Sequence, residues 1–456
     1  MKKNNSILKA LGILFLIFVA LSWIIPAGYF SNGEYVKDAI SPIGLFDIIL
    51  YPLAAITSSV FILSALIFIL IGAFYGVLNK TKAYPKLVEN LAKKFKGKET
   101  VVLVVTSLVF IILTSLTSLT LPMFVFVPLF ATILMLLGYS KFTSMLATVG
   151  SILVGNMAST YGSNVAGYVK YLTESMNIGM RLIFLVLAAI VFVIFLVKTS
   201  NTKSNDKDIM LYQKTTKKVS STPVVVIMIL VLIFSLVGMF DWSNVFGVKL
   251  FTNIHDAIVG FKIGDYTLFE NLMGSMTAIG TWTNYQLAMI LLIATFVVGK
   301  IYKLKFSEIV EGAIEGIKEM LPVALIAIVA NVIFLLMNVN SNGYTFYNSI
   351  ANTLVGTKIG IVPFGTATFI GSIFYNDFPY FLSGIYGSIS SLSDQYVLIG
   401  MISQLVHGLV QLIAPTSVIL VAGLTYFKIP YTTWLKQMWK CLLCMLAIII
   451  IFLIFV

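Results

Sequence analysis

Apolar stretches of about 20 residues, the length a helix needs to cross a hydrocarbon core, recur from one end of this chain to the other. Seven read as plain spans: 11 to 27, 56 to 78, 180 to 198, 222 to 240, 284 to 301, 319 to 338 and 436 to 456. Two longer apolar stretches, 100 to 172 and 358 to 428, contain polar interruptions. A soluble chain of 456 residues would split into several domains. With 59% hydrophobic and 11% charged residues, this one lies far outside globular usage. The opening MKKNNSILKALGILFLIFVALSWIIPAG has lysines before an apolar run, as a secretory signal would, but the run is long and is read as a retained first span. Cys441 and Cys444 fall inside the last span with no second pair to complete a metal site, so they read as small apolar side chains.

A formal charge of +12 would suit a nucleic-acid binder if it were clustered. Here it is spread over the short loops between spans, which is the positive-inside pattern. An N-terminus on the inner side puts every basic residue inside except Lys37, Lys170, Arg181, Lys249, Lys262 and Lys358, and no basic residue at membrane depth. One carboxylate, Asp377, belongs to neither side. The basicity is topology, and no nucleic-acid partner is expected.

Crossing parity then constrains the interrupted stretches. The lysine-rich segment 80 to 99 and Lys141 both lie inside, so 100 to 138 must enter and return, with TSLTSLTLP at 114 to 122 as its tip. The chain next crosses outward through a polar, glycine-rich middle around Gly155 to Asn164. The second half repeats this upside down. A hairpin with GSIFYNDFP at 371 to 379 enters from outside, and an inward crossing follows that is interrupted at Ala414-Pro415-Thr416-Ser417. Pro122 to Gly155 and Pro379 to Leu412 are equal separations. The expected fold is therefore an all-α polytopic membrane protein with two inverted repeats, each a re-entrant hairpin followed by a broken helix. The remainder reads as framework: an amphipathic helix at 305 to 322 lying on the inner surface, and an arm at 241 to 283 with no assignable shape.

Non-helical backbone survives in hydrocarbon only where protein or a watery cavity satisfies it. Paired interruptions thus mark a site, since half-helix ends suit both carboxylates and cations. In the first, Gly155 and Gly162 are expected to supply backbone conformations closed to other residues, with Asn156, Ser159, Thr160, Ser163 and Asn164 as short polar groups. In the second, Pro415 removes a donor while Thr416 and Ser417 supply hydroxyls. Asp377, flanked by aromatic residues, carries a proton, meets a sodium ion or pairs with a basic substrate, or else lies close enough to water to be merely solvated or to cap the helix after it. His407 is a candidate for coupling, or a histidine bonded between helices. Asn331 reads as an interhelical bonding group.

These residues resemble the YfcC/DcuC-type family of anaerobic dicarboxylate-carrier relatives within the ion-transporter superfamily. The likeness is carried by WIIPAGYF at 23 to 30, LIFILIGAFYGVLNKTKAY at 66 to 84, LPMFVFVPLFATILMLLGYS at 121 to 140, EGAIEGIKEMLPVALIA at 311 to 327 and LIAPTSVILVAGLTYFKIPYTTWLK at 412 to 436. It implies a homodimer of the elevator type, in which a hairpin-bearing transport domain slides past a scaffold. It also implies a substrate held by Ser115, Thr117, Ser118, Asn156, Ser163, Asn164, Ser372, Asn376, Thr416 and Ser417. At the outer hairpin FYNDF stands where a Ser-Gly-rich tip is usual, and some relatives exchange arginine for ornithine.

The resulting expectation is a secondary transporter of a small organic ion in a bacterial cytoplasmic membrane, with no enzymatic activity and no cofactor, and Na+ or H+ as coupling ion. The main reading is a basic amino acid exchanger. The alternative is an ion-coupled carrier of dicarboxylates or other carboxylates. Scaffold segments are expected at 1–99 and 173–357, transport repeats at 100–172 and 358–430, and a last span at 431–456.

Overall fold

A computed structural model of the chain describes residues 5–31, 34–38, 40, 42–57, 59–162, 169, 177–200, 208–217, 219–274, 277–339, 345–355, 360–389 and 395–455. The first half contains α1 (Asn5–Ile24), a hairpin of β1 (Gly28–Ser31) and β2 (Glu34–Lys37), α2 (Asp47–Thr57), α3 (Ser59–Lys80), α4 (Ala83–Lys94) and α5 (Glu99–Thr117). Three short helices follow, α6 (Thr120–Phe124), α7 (Val127–Leu136) and α8 (Lys141–Met145), and a wide π-helical turn, Leu146–Gly150, leads into α9 (Ser151–Met157). Next come α10 (Ile178–Thr199), α11 (Thr222–Met239), α12 (Trp242–Phe246), α13 (Leu250–Val259), strands β3 (Lys262–Ile263) and β4 (Tyr266–Thr267), α14 (Leu268–Met273) and α15 (Asn284–Ile301). The last part holds α16 (Phe306–Val339), α17 (Phe346–Val355), α18 (Ile361–Phe374), α19 (Phe378–Ile389), α20 (Tyr396–Gln411), α21 (Val418–Tyr426) and α22 (Tyr431–Ile454).

Among the described residues eight helices are long and apolar enough to cross a membrane. Seven coincide with the plain spans read from the sequence. The eighth is α5, the first arm of the inner interruption, whose 19 residues would by themselves reach across most of a bilayer at 1.5 Å per residue. The arm at 241 to 283 takes up α12 to α14 and the small β3–β4 hairpin.

One expectation is corrected. The stretch 305 to 322 is not a separate surface helix but the first part of α16, which runs unbroken through Pro322. A proline interrupts a membrane helix less than a soluble one, because neighbouring elements re-satisfy the freed carbonyl. The acidic face that looked like a water-facing surface has partners. Lys80 Nζ lies 2.9 Å from Glu315 and 3.3 Å from Glu311, while Glu319 accepts from the Leu211 N–H at 2.6 Å.

The reason α16 sits against α3 is a pair of glycine-x-x-x-glycine steps. A Cβ at Gly72 would lie 2.5 Å from the carbonyl oxygen of Gly316, and one at Gly76 would collide with that of Gly312. Side-chain-free faces let two backbones touch, which is how helices gain packing energy where lipid offers no hydrophobic drive. Neither step stands out as a turn signal, and a search for interruptions passes over both. Small polar pairs join other helices, as where Ser107 on α5 and Ser151 on α9 share a hydrogen bond of 2.7 Å between hydroxyls.

A second organising piece lies at the basic end of the bundle. Residues 208 to 215 form a strap with Leu211 buried at its centre in a left-handed conformation. Asn79 on α3 donates to the Leu211 carbonyl at 2.9 Å and accepts from the Gln213 N–H at 3.3 Å. Glu89 on α4 accepts from the Tyr212 hydroxyl at 2.9 Å and the Thr215 N–H at 3.2 Å. Tyr426 at the end of α21 donates to the Met210 carbonyl at 3.1 Å, and Asp208 reaches Lys428 at 2.6 Å and Lys141 at 3.5 Å. The strap therefore ties α3, α4 and α16 to α8 and α21. Hydrogen bonding to Lys428, helped by Lys141, holds the Asp208 carboxyl below its ordinary range. Its folded value being lowered, the contribution is present above the unfolded value and is lost as pH falls through the lowered one.

Two outcomes follow from this packing. Gly316→Leu should destabilise the protein by about 3 kcal/mol or more, because the obstacle is backbone and cannot rotate away, whereas Gly12→Leu, which meets nothing within 4 Å, should leave the thermal unfolding midpoint in detergent unchanged. At neutral pH, Asp208→Asn should speed tryptic cleavage at Lys214 several-fold, and an unchanged rate would mean the clip does not hold the strap.

Candidate functional site

The first break begins where α9 ends at Met157. Ala158 leaves helical geometry, and its carbonyl is taken up by the Ser115 hydroxyl at 2.6 Å. The Thr160 N–H donates to the Ser115 carbonyl at 2.9 Å, and the hydroxyls of Ser118 and Ser159 lie 2.7 Å apart. Ser118 itself caps α5 in the left-handed region, φ 58°, so the tip of the first arm turns on a serine. Thr117 holds that turn locally, donating to the Leu113 carbonyl at 2.7 Å and accepting from the Leu119 N–H at 3.3 Å. The ends of α5 and α9 thus satisfy each other's backbone, as a dry environment requires.

The glycines of this break do not serve as expected. Neither Gly155 nor Gly162 has a positive φ. Gly155 lies inside α9, where a Cβ would sit 2.5 Å from the Ile111 carbonyl of α5, and a Cβ at Gly162 would collide with Ser118. Their contribution is room for close approach, and the true end of the helix falls after Met157. Asn156 is half-buried on α9. Ser163 and Asn164, like Lys170 and Lys358, lie outside the described residues.

The second break separates α20 from α21. The Thr416 hydroxyl donates to the Ile373 carbonyl at 2.7 Å, and Asn376 donates to the Thr416 carbonyl at 3.0 Å and to Asn331 Oδ1 at 2.7 Å. Asn331 therefore bonds between helices, as its setting in an apolar run suggests. Ser417 is buried at the start of α21, where its carbonyl accepts from the Val421 N–H. Ser372 is buried on α18. Its hydroxyl lies 3.0 Å from His407 Nδ1 and its carbonyl accepts from Gln411 at 3.3 Å. The His407 ring is packed against Phe378 and Phe381, with centroids 5.3 and 5.6 Å away.

One helix joins the two breaks. On α20, Gln404, His407 and Gln411 recur at steps of three and four and so share a face. Gln404 reaches back to the first break, donating to the Ser159 carbonyl at 2.7 Å and the Met157 carbonyl at 3.2 Å. A Cβ at Gly408 would strike the Met157 backbone, so α20 and α9 touch directly. His407 and Gln411 face the second break. Gln404 and Gln411 were not singled out from the sequence, though two glutamines seven residues apart in an apolar helix are a readable signal. The side-chain oxygen of Gln404 is buried and has no hydrogen-bond partner among the described residues.

Arg181 is the other residue that sequence reading misplaced. Counted as external because it stands at the start of a span, it is 2% exposed, and its Nη1 donates to the same Ser159 carbonyl at 3.2 Å. A guanidinium therefore lies buried against the first break. Asp377 follows Asn376 in the chain but makes a different contact. It is exposed at the start of α19, where its carboxylate accepts from the Tyr380 N–H at 3.3 Å, the geometry of a helix cap. Among the described residues no group of three His, Cys, Asp or Glu side chains is placed to hold a metal ion.

A family model described as C4-dicarboxylate anaerobic carrier, DcuC, matches residues 5–373 and 386–456. The chain belongs to that family. This carrier is a multi-pass membrane transporter, and both breaks fall within the matched residues. No curated protein sequence matches it significantly. Among solved structures it is similar to the YdaH transporter of Alcanivorax borkumensis, with 12% identity, TM-score 0.42, and coverage of 97% of this chain and 96% of that one. It is likewise similar to MtrF of Neisseria gonorrhoeae, described within a class of antimetabolite efflux pumps, with 16% identity, TM-score 0.39, and coverage of 97% and 94%.

In the carrier, Gln404→Leu leaves the Ser159 and Met157 carbonyls each short of a donor. The loss should cost about 2 kcal/mol or more, read as a lowered thermal midpoint that Gln404→Glu, whose carboxylate has no N–H to donate, does not restore. A midpoint equal to wild type would show that α20 does not support the first break.

Proposed function

We propose that this protein is a secondary transporter of C4-dicarboxylates, with Na+ or H+ as the coupling ion. The observation that carries the reading is the Arg181 guanidinium against the broken end of α9. A planar fork of donors matches a carboxylate bidentately, and a charge in a medium of low dielectric acts strongly on whatever enters. It attracts an anion and repels a cation, so a basic amino acid would bring like charge to like charge. Asp377, the residue that favoured a basic substrate, is occupied in capping α19. Membership of a family described as C4-dicarboxylate carriers supports the same choice.

In this proposal the substrate lies between the breaks. One carboxylate meets Arg181, Ser118, Ser159 and Thr160, and the other meets Ser372, Asn376, Thr416 and Ser417. Ser115 and Thr117 hold the first tip in shape, and Asn156, Ser163 and Asn164 are further substrate contacts of this proposal, taken from the family resemblance. His407 and Asp377 are the groups able to exchange protons with a coupling cycle. The two interrupted stretches form an inverted-repeat transport domain, 100–172 with 358–430, that moves elevator-fashion against a scaffold of 1–99 and 173–357, in a homodimer within a bacterial cytoplasmic membrane with the N-terminus inside.

Counterflow in proteoliposomes tests the substrate. Labelled succinate should accumulate against internal succinate, and Arg181→Gln should reduce its rate by about tenfold or more, as expected for losing a charge-assisted contact, while Arg181→Lys retains part of it. Exchange of labelled arginine for ornithine, with succinate inert, would overturn the reading.

A further inference from the structure

On the outer wall of the bundle, the start of α8, the end of α10 and the first half of α22 surround an open notch of about 670 Å³. Its lining includes Lys141, Lys436, Lys440, Thr199, Gln437 and Trp439, with three ammonium groups and no carboxylate. Among the described residues the acidic group paired with these lysines is Asp208, 3.5 Å from Lys141 and itself shared with Lys428. Trp439 is half exposed, and Lys440 Nζ lies 5.5 Å from its ring centroid. Phe142 closes the inner side, its ring 5.8 Å from the fully buried Trp434.

Below the notch both helices continue as lipid-facing apolar surface. Leu187, Ile190 and Ile194 on α10, and Leu443, Leu446 and Ile450 on α22, are all exposed. A water-soluble anion would use the lysines and leave that band idle. A phospholipid uses both, its phosphate among the ammonium groups and its chains along the aliphatic side chains. An indole half in and half out is the usual marker of the boundary between headgroup and hydrocarbon. Basic pockets between membrane helices are suited to acidic headgroups on the same grounds.

We infer that this notch is a binding site for an anionic phospholipid, whose phosphate is held by Lys141, Lys436 and Lys440 beside Trp439. The site shares no residue with the proposed substrate path, so it stands or falls independently of the dicarboxylate reading. Its position has a structural consequence. A headgroup bound there would neutralise Lys141, which also reaches the strap through Asp208, so lipid and strap compete for one ammonium group.

The test uses the full-length protein in phosphatidylcholine nanodiscs carrying increasing fractions of brominated phosphatidylglycerol or brominated phosphatidylcholine, with tryptophan fluorescence as the readout. Quenching by the anionic lipid should reach its midpoint at about tenfold lower mole fraction than quenching by the neutral one, given attraction to several lysines. That preference should disappear in Lys436→Gln/Lys440→Gln, and in Trp439→Phe, which removes the one of the five tryptophans that lines the notch. Both lysines are exposed, and a thermal midpoint equal to wild type would establish that the double variant is folded. Equal midpoints for the two lipids in the wild type, or a preference surviving the double variant, would overturn the inference. Abolition of the preference by millimolar glycerol phosphate would assign the notch to a soluble anion instead.

Discussion

A main-chain carbonyl released from a helix inside a membrane has no water to turn to, and each one left alone costs several kcal/mol. The centre of this protein is arranged around that constraint. At the first break the Ala158 carbonyl is taken by a serine, and the Ser159 carbonyl by a glutamine and an arginine from two other helices. At the second, the Ile373 carbonyl is taken by the Thr416 hydroxyl and the Thr416 carbonyl by the Asn376 amide, so that the end of α18 and the helix break close on each other. The same short polar residues that could meet a substrate thus also hold the breaks open. That is why α20, with donors facing both ways, is the element on which the two halves depend.

The charges divide otherwise than the linear sequence suggests. Asp377 looks like the one ion at depth, because aromatic residues surround it along the chain. In three dimensions it caps α19 and is exposed. Arg181 looks like an outer-edge residue, because it opens a span. In three dimensions it turns inward on the first broken helix. Neighbours in sequence describe a side chain's surroundings poorly when a single helical turn decides whether it faces lipid, water or another helix.

Much of the fold was nonetheless legible. Long apolar runs give their own ends, since nothing else can satisfy so much backbone in lipid, and Pro415 marks the second break because it removes a donor outright. The first break was placed three residues early. Glycine signals both unusual backbone and close approach, and at Gly155 and Gly162 it means approach. The stretch 305 to 322 was separated from its helix for the converse reason, since Pro322 signals an end that the membrane environment removes. Least legible was the strap at 208 to 215. Its hold depends on Asn79, Glu89 and Glu319, which are distant in sequence and carry no pattern of their own.

The contact of α3 with α16 also sets a scale of length. Two glycine pairs meet at two successive crossings, Gly72 with Gly316 and Gly76 with Gly312. Moving one helix past the other by a single turn would leave one glycine facing a full-sized side chain. Met320 lies one step beyond Gly316, and its Cβ already falls 2.9 Å from a Cβ placed at Gly72. The pairing therefore works like the teeth of a vernier, in register at one setting and obstructed at the next. It makes these two helices a single rigid strut against which the position of every other segment is measured.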